Sequence, residues 1–108
     1  MIKTAVVILN WNGRGFLEKF LPGVIANTVS ADTEVIIADN GSDDDSVSWL
    51  SANHPEIRVI RLEKNYGYAG GYNRALQYIA AEYFILLNPD ISVPAGWTEP
   101  LVTFMDMH

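Results

Sequence analysis

Four short apolar runs along the chain predict β-strands. They cover residues 5–9, 34–39, 57–62 and 83–88. Runs one, two and four are nearly continuous and stop abruptly at polar residues, which is typical of strands covered on both faces of a parallel sheet. The last one must stop at Pro89, because proline cannot donate a ladder hydrogen bond. The third run carries two arginines, which indicates a strand at a sheet edge.

Apolar residues at helical spacing predict helices between and after these strands. The predicted helices cover residues 13–27, 42–53, 69–81 and 99–107. Ser42 and Asp45 fit a capping box at the start of the second helix, which would place Asp43 and Asp44 in its first turn. The apolar stripe predicted for the third helix comprises Ala69, Tyr72, Leu76, Ile79 and Ala80.

The alternation of strands and helices predicts an α/β fold. We expect right-handed βαβ units and an open, mostly parallel, Rossmann-like sheet with helices on both faces and strand order 3-2-1-4. In this order the chain reverses direction between strands one and four, and ligands bind outside the carboxyl ends of strands at such a switch point. The residues expected to face this crevice are Asn10, Asn12, Asp39 and Asp90.

Composition narrows the class of protein. The 108 residues are 49% apolar and 19% charged, which indicates one globular domain or part of one. A net charge of -6 argues against nucleic-acid binding, but permits a phosphorylated ligand that a cation bridges. The absence of cysteine excludes disulfides and thiol nucleophiles. No apolar run approaches the ~20 residues that span a bilayer and the start lacks signal-peptide features, so we expect a cytoplasmic protein.

Two acids at strand ends are the main candidates for chemistry. Mg²⁺ and Mn²⁺ prefer oxygen ligands and are often held by one or two carboxylates together with substrate phosphates, a role that suits Asp90. The alternative is that Asn88-Pro89-Asp90 is only a turn. Asp39 is suited to accept hydrogen bonds from a base or a ribose, and its alternative is an Asx-turn or a helix cap.

A glycine-bearing segment, residues 65–73, leads from a loop into a predicted helix N-terminus. Free backbone N–H groups at such a terminus can receive an anion. The alternative for Gly70 and Gly71 is close packing of the helix on the sheet. The segment is not a dinucleotide fingerprint, because that motif requires its glycines directly after the first strand.

Four segments together make the chain resemble the N-terminal half of the family 2 inverting glycosyltransferases of the GT-A fold, especially the bacterial rhamnosyltransferase-like members. They are residues 6–13, 35–44, 65–73 and 86–90, in the order of the family. The resemblance covers nearly the whole chain. It implies that residues 1–108 are the N-terminal, nucleotide-sugar-binding part of a single GT-A domain, and we expect the chain to be a truncated fragment.

The resemblance implies a nucleotide-sugar site in the predicted crevice. Asp39 would contact the uracil or thymine of a UDP- or dTDP-sugar. The last acid of the family's Asp-x-Asp motif binds the Mg²⁺ or Mn²⁺ on the diphosphate, so Asp90 would take this role, while Asn88 replaces the first acid and could bond the ribose or sugar. The other implied nucleotide-sugar-binding residues are Asn10, Trp11, Asn12, Asn65, Gly70 and Asn73.

In the family an acceptor hydroxyl attacks the anomeric carbon with inversion while a carboxylate acts as general base. No residue of this chain matches that base, so no catalytic residue is identified. The expected acceptor is a glycan or a lipid-linked saccharide in polysaccharide biosynthesis, with the parent enzyme at the inner face of the membrane.

Three other interpretations of the sequence stay open. The first is a non-catalytic nucleotide-binding or self-associating module on the same sheet, which pairs through surfaces that truncation exposes. A nucleotidyltransferase needs a glycine-rich, basic loop after strand one, where residues 12–15 supply a single arginine. A receiver-like phosphoacceptor fits less well, because strand one ends in amides.

Overall fold

The computed structural model describes residues 2–28 and 30–108. It confirms the predicted α/β architecture, with a four-stranded sheet of order β3-β2-β1-β4 whose neighbouring strands all pair in parallel. In chain order the elements are β1 (Ile2–Asn10), α1 (Arg14–Ala26), β2 (Thr33–Asp39), α2 (Ser46–Asn53), β3 (Arg58–Arg61), α3 (Gly67–Leu76), β4 (Ala81–Leu87) and α4 (Thr98–Met107). Within this described part of the chain, no helix is both long enough and apolar enough to cross a membrane.

The two faces of the central strands bury separate apolar clusters, so helices cover both faces as predicted. Alternate side chains of a strand point to opposite faces, and β1 therefore contributes Val6 and Ile8 to one cluster and Ala5 and Val7 to the other. The first cluster packs against α1 and α2 through Leu17, Leu21, Val24 and Leu50. The second packs against α3 through Tyr72 and Ala75.

The strand register aligns the polar strand ends. Asn10 of β1 lies opposite Asp39 of β2. On the other side of β1, pairing with β4 ends earlier, and there the hydroxyl of Tyr72 accepts a hydrogen bond from the Leu9 amide (3.4 Å) and donates one to the Leu87 carbonyl (3.1 Å). Burial raises the pKa of Tyr72 to about 12, so the phenol stays protonated and able to donate. Beyond this bridge β1 and β4 separate, which opens the switch point.

The prediction that β4 is covered on both faces is wrong. Ile85 and Leu87 join the first cluster, but Glu82, Phe84 and Leu86 on the opposite face are exposed. The physical reason is that α3 packs over β1 and β2 and leaves the edge strand β4 uncovered on that side. A continuous apolar run was therefore a misleading signal of burial for this strand.

Two predictions about helix starts and stripes are also corrected. Helix α2 begins at Ser46 without a side-chain cap, so Ser42 and Asp45 form no capping box, and Asp43 and Asp44 precede the helix. The Ser42 hydroxyl instead donates to Asp39 (2.7 Å), a stronger acceptor within reach. Helix α3 spans Gly67–Leu76, earlier than predicted, and its buried stripe is Gly71, Tyr72 and Ala75, while Ala69 and Ala80 are exposed.

Candidate functional site

A cleft of about 460 Å³ lies beyond the carboxyl ends of β1 and β4, where the switch point was predicted. This volume lies in the range of roughly 300–1,000 Å³ that is usual for small-molecule sites. The polar part of its lining consists of Asn12, Asn40, Asn65, Asn88 and Asp90. The aromatic part consists of Trp11, Phe16 and Tyr68.

The cleft collects five of the nine residues singled out from the sequence: Trp11, Asn12, Asn65, Asn88 and Asp90. The other four do not line it. Asn10 and Asp39 lie buried beneath its floor, and Gly70 and Asn73 lie further along α3. A Cβ at the neighbouring Gly71 would approach Asn40 Nδ2 to 2.8 Å and Leu9 Cδ1 to 2.9 Å, so α3 and the sheet are in close contact there.

Asp39 is satisfied by the chain itself. The residue is buried, with 2% of its surface exposed. Its Oδ1 accepts hydrogen bonds from Asn10 Nδ2 (3.0 Å) and Ser42 Oγ (2.7 Å). Oδ2 accepts one from the Ser42 amide (3.0 Å). The carboxylate thus ties the end of β1 to the turn after β2, which is the local role weighed as its alternative. Contact with a base stays a prediction.

Asn12 connects the loop after β1 to the loop after β2. Its backbone adopts the left-handed conformation (φ 51°), which asparagine tolerates better than most residues. Its Oδ1 accepts hydrogen bonds from the amides of Asp43 (2.8 Å) and Asp44 (3.2 Å), and its own amide donates to Ser42 Oγ (2.9 Å). These contacts fix the neighbouring Trp11, whose side chain stays 53% exposed at the cleft.

Asn40 is a site residue that was not singled out from the sequence. It is buried, and its Nδ2 donates to Asn65 Oδ1 (3.1 Å) and to the Gly67 carbonyl (3.0 Å), while its Oδ1 accepts from the Tyr66 amide (3.0 Å). It thereby fixes the loop that leads into α3 against the cleft. The signal in the sequence was an amide directly after the strand-ending Asp39.

The aromatic side chains Phe16 and Tyr68 were also missed. The Tyr68 hydroxyl donates to Asn88 Oδ1 (3.3 Å), and its ring meets that of Tyr72 edge to face at 5.1 Å. Because Trp11, Phe16 and Tyr68 are all more than half exposed beside polar groups, the cleft offers planar surfaces on which a flat ring can stack. Aromatics at the first turns of α1 and α3 were the available signal.

An unpaired acceptor lies under the cleft floor. Asn10 Oδ1 is buried and has no hydrogen-bond partner among the described residues, because its amide group is oriented by donation to Asp39. It faces Gly13, where a Cβ would come within 2.5 Å of this oxygen. Gly13 itself lines the cleft, so only a glycine separates this acceptor from it.

The residues at the end of β4 fit a divalent cation that arrives with a phosphorylated ligand. Asp90 is exposed, and no hydrogen bond or ion pair engages its carboxylate in the described part of the chain. Residues 2–28 and 30–108 contain no group of three His, Cys, Asp or Glu side chains that would hold a metal without help. One carboxylate completed by phosphate oxygens and water is a common Mg²⁺ environment, and no basic residue in the cleft lining competes for the phosphates.

Fold and site together define an open α/β sheet with a small-molecule cleft at its switch point. The chain belongs to glycosyl transferase family 2, whose model matches residues 5–108. The same likeness is seen in solved structures of the GT-A fold. TarS 1-349 of S. aureus in complex with UDP-GlcNAc superposes with a TM-score of 0.81 at 22% identity, over 99% of this chain and 32% of that one.

Other proteins of similar structure or sequence are also named as sugar transferases. A mannosyltransferase of Pyrobaculum calidifontis in complex with GDP-Man and Mn²⁺ has a TM-score of 0.71 at 22% identity, over 86% of this chain and 29% of its own. The glycosyltransferase YfnE of Bacillus subtilis is 30% identical over 92 residues, which are 83% of this chain and 24% of YfnE. The low-salt glycan biosynthesis hexosyltransferase Agl10 of Haloferax volcanii is 26% identical over 82% of this chain and 28% of its own length. The chain thus spans about a quarter of the length of these curated relatives.

Proposed function

We propose that residues 1–108 form the N-terminal, donor-binding part of a glycosyltransferase that transfers a sugar from a nucleoside-diphosphate donor to an acceptor hydroxyl with inversion. The observation that carries this proposal is the composition of the cleft, which combines exposed aromatic rings, amides and one free carboxylate at a switch point. Support comes from the family match and from the UDP-GlcNAc complex of the similarly folded TarS.

Each part of the cleft suits one part of such a donor. The exposed Trp11 ring offers a stacking surface for a pyrimidine, and the buried Asp39 holds the preceding residue, Asn10, by accepting a hydrogen bond from its Nδ2. The amide of Asn88 can bond a ribose or sugar hydroxyl, and Tyr68 holds this amide in place. Asp90 would hold Mg²⁺ or Mn²⁺. When bound, the cation neutralises charge on the departing diphosphate.

The finer assignments form part of the same proposal. We infer a UDP- or dTDP-linked hexose as donor and a glycan or lipid-linked saccharide as acceptor. The relative named undecaprenyl-phosphate 4-deoxy-4-formamido-L-arabinose transferase, from Enterobacter sp., is 29% identical over 96% of this chain, and its name supports a lipid-linked acceptor. We place the parent enzyme at the inner face of the membrane as part of the same proposal. Since Asp90 is the single carboxylate in the cleft lining and serves the cation, we assign no general base within it.

Calorimetric titration of the chain with UDP and with dTDP, each with and without Mn²⁺, tests the proposal. Asp90→Asn should abolish the Mn²⁺-dependent gain in affinity and leave the metal-free binding unchanged. Trp11→Ala should weaken binding about tenfold with and without metal, since stacking of a base on an aromatic ring is worth about 1–3 kcal/mol. The matched control is Asp43→Asn, an exposed carboxylate outside the cleft. A folded chain that binds neither nucleotide would refute the donor site.

A second candidate, a self-associating module, is favoured by one observation. The exposed face of β4 and helix α4 present large apolar side chains, among them Phe84, Leu86, Leu101, Phe104 and Met107. Apolar groups next to an open sheet edge favour pairing with another copy. Sedimentation velocity between 1 and 100 µM, on the order of typical working concentrations, should then show a dimer that Phe104→Glu dissociates. A monomer at every concentration would exclude this candidate.

A further inference from the structure

A second groove, of about 300 Å³, lies beside the cleft at the β3 edge of the sheet. Its polar and aromatic lining consists of Arg61, Glu63, Tyr66, Arg74, Gln77 and Tyr78. One loop separates it from the cleft, since Asn65 and Gly67 line the cleft whereas Tyr66 between them lines the groove. The donor site proposed above uses none of the groove side chains.

The segment that forms much of the groove is basic, whereas the chain as a whole is acidic. The chain carries a net charge of -6, yet residues 58–74 contain four of its seven basic side chains and one of its thirteen acidic ones. None of these four, Arg58, Arg61, Lys64 and Arg74, forms an ion pair with any residue that the structure describes. The one acid of the segment, in the groove itself, is engaged by a neighbouring tyrosine hydroxyl. The groove lining itself, with Arg61 and Arg74 against Glu63, carries a net charge of +1, in a chain whose net charge is -6.

Arg74, on α3, packs against the aromatic ring of Tyr66. Its guanidinium carbon lies 3.8 Å from the centroid of the Tyr66 ring, and the Tyr66 amide donates to the buried Asn40 (3.0 Å), which fixes this platform to the sheet. A guanidinium stacked by its flat face keeps its N–H edges free, and their fork geometry matches two oxygens of a phosphate. Arg61 at the end of β3 and the amide of Gln77 supply further donors to the same groove.

Protection of the sheet edge accounts for only part of this arrangement. Charged residues on an edge strand prevent pairing with other chains, which explains Arg58 and Arg61. It does not explain Arg74, which lies on α3 rather than on the edge strand, nor its stacked geometry. An anion ligand explains all of these features together.

We propose that this groove binds the phosphate group of a small molecule, a monoester or diester, through Arg61 and Arg74. A small ligand fits better than an anionic membrane, because the groove has a volume of only about 300 Å³ and the acidic remainder of the chain would be repelled by a negatively charged surface. The inference does not rest on the proposed donor function, since no cleft residue takes part.

Calorimetric titration with inorganic phosphate, in EDTA and at constant ionic strength set with chloride, tests the proposal. We expect saturable binding that Arg61→Gln and Arg74→Gln each weaken about tenfold or more, since a hydrogen bond to a charged group contributes at least one decade in affinity. Arg74→Lys, which keeps the charge but not the fork, should weaken it less. Lys19→Gln, an exposed cation on α1, is the control and should bind as the unchanged chain does.

The outcomes separate the possibilities. Arg61→Gln leaves the stacked Tyr66–Arg74 pair intact, so it tests the groove even if Arg74→Gln perturbs folding. Non-saturable binding, or equal weakening by Lys19→Gln, would overturn the proposal in favour of general charge screening. Binding to phosphatidylglycerol vesicles without binding of soluble phosphate would overturn it in favour of a membrane surface. Loss of UDP binding with phosphate binding intact would count against the donor site alone.

Discussion

The two sides of the cleft are built in opposite ways. On the β1–β2 side, the polar strand ends are buried and hydrogen-bond to one another, as the Asn10, Asp39 and Ser42 contacts show, although Asn10 Oδ1 has no partner among the described residues. On the β4 side, Asn88 and Asp90 are exposed, and the strand that carries them is covered on one face only. Buried polar groups stabilise when every partner is present, whereas free ones can bind a ligand. The β1–β2 side therefore fixes the loops, and the β4 side keeps polar groups available to bind a ligand.

The largest effect on stability is expected at the turn after β2. Gly41 has φ 73°, and a Cβ there would lie 2.4 Å from the Lys64 carbonyl carbon. Gly41→Ala adds an unfavourable backbone conformation to a clash with main chain that cannot move aside, so it should lower the free energy of unfolding by about 3–5 kcal/mol. Gly23→Ala in α1 meets no atom within 4 Å and should stabilise by about 0.5–1 kcal/mol. Urea denaturation measures both, and equal small effects would contradict a rigid β1–β2 side.

Asp39→Asn tests whether the buried network needs its charge. Asparagine can accept at one oxygen only and turns a donor toward groups that already donate, so the unfolding free energy should fall by about 2–3 kcal/mol. The control Asp43→Asn is exposed and should change it by about 0.5 kcal/mol or less. Urea midpoints at pH 7 give both values. A negligible effect of Asp39→Asn would make this side as tolerant as the β4 side.

The sheet order and the location of the cleft followed from the sequence, because polar residues directly after apolar strands meet at one edge of a parallel sheet. Of the four residues expected at the crevice for this reason, Asn12 and Asp90 line the cleft, whereas Asn10 and Asp39 do not. The burial of the Asp39 carboxylate in contacts with the chain itself could not be predicted in the same way. Whether a strand-end carboxylate faces a cleft or a neighbouring turn depends on which donors the loops bring within 3 Å, and loop geometry is a tertiary property.

The predicted burial of β4 and the predicted start of α2 were wrong for related reasons. An apolar run does not reveal which strand lies at an edge, so Phe84 and Leu86 looked like core residues. The capping-box pattern at Ser42 was a correct local signal with a stronger competitor, since the Asp39 carboxylate accepts the Ser42 hydroxyl instead. Asn40 was overlooked because its partners, Asn65, Tyr66 and Gly67, are distant in sequence.

Tyr72→Phe probes the boundary between the two sides. The variant leaves the Leu9 amide and the Leu87 carbonyl without their shared hydroxyl partner, so the unfolding free energy should fall by about 1–2 kcal/mol. Tyr78→Phe, an exposed tyrosine, is the control.

The advantage that Tyr72 gives should also depend on pH in one direction. Burial raises its pKa in the folded chain from 10.0 to about 12, so above pH 10 the unfolded chain loses this proton first and gains stability relative to the folded one. The difference in urea midpoint between the unchanged chain and Tyr72→Phe should therefore be full below pH 10 and shrink between pH 10 and 12. A difference that grows over this interval would show that the hydroxyl is not buried as described.

The smallest effect is expected where α4 meets β1 and β4. Asp106 accepts hydrogen bonds from Lys3 Nζ (2.7 Å) and the Tyr83 hydroxyl (2.6 Å), which lower the pKa of this carboxyl below 3.8. A lowered pKa contributes stability that is present above the unfolded value and is lost as pH falls through the folded one. Asp106→Asn should thus slightly lower the urea midpoint at pH 6, and the difference from the unchanged chain should fade below pH 4. Because the contact is exposed, salt should weaken it as well, unlike the buried contacts of Asp39. An effect of Asp106→Asn as large as that of Asp39→Asn would mean that the β4 side is held as firmly as the β1–β2 side.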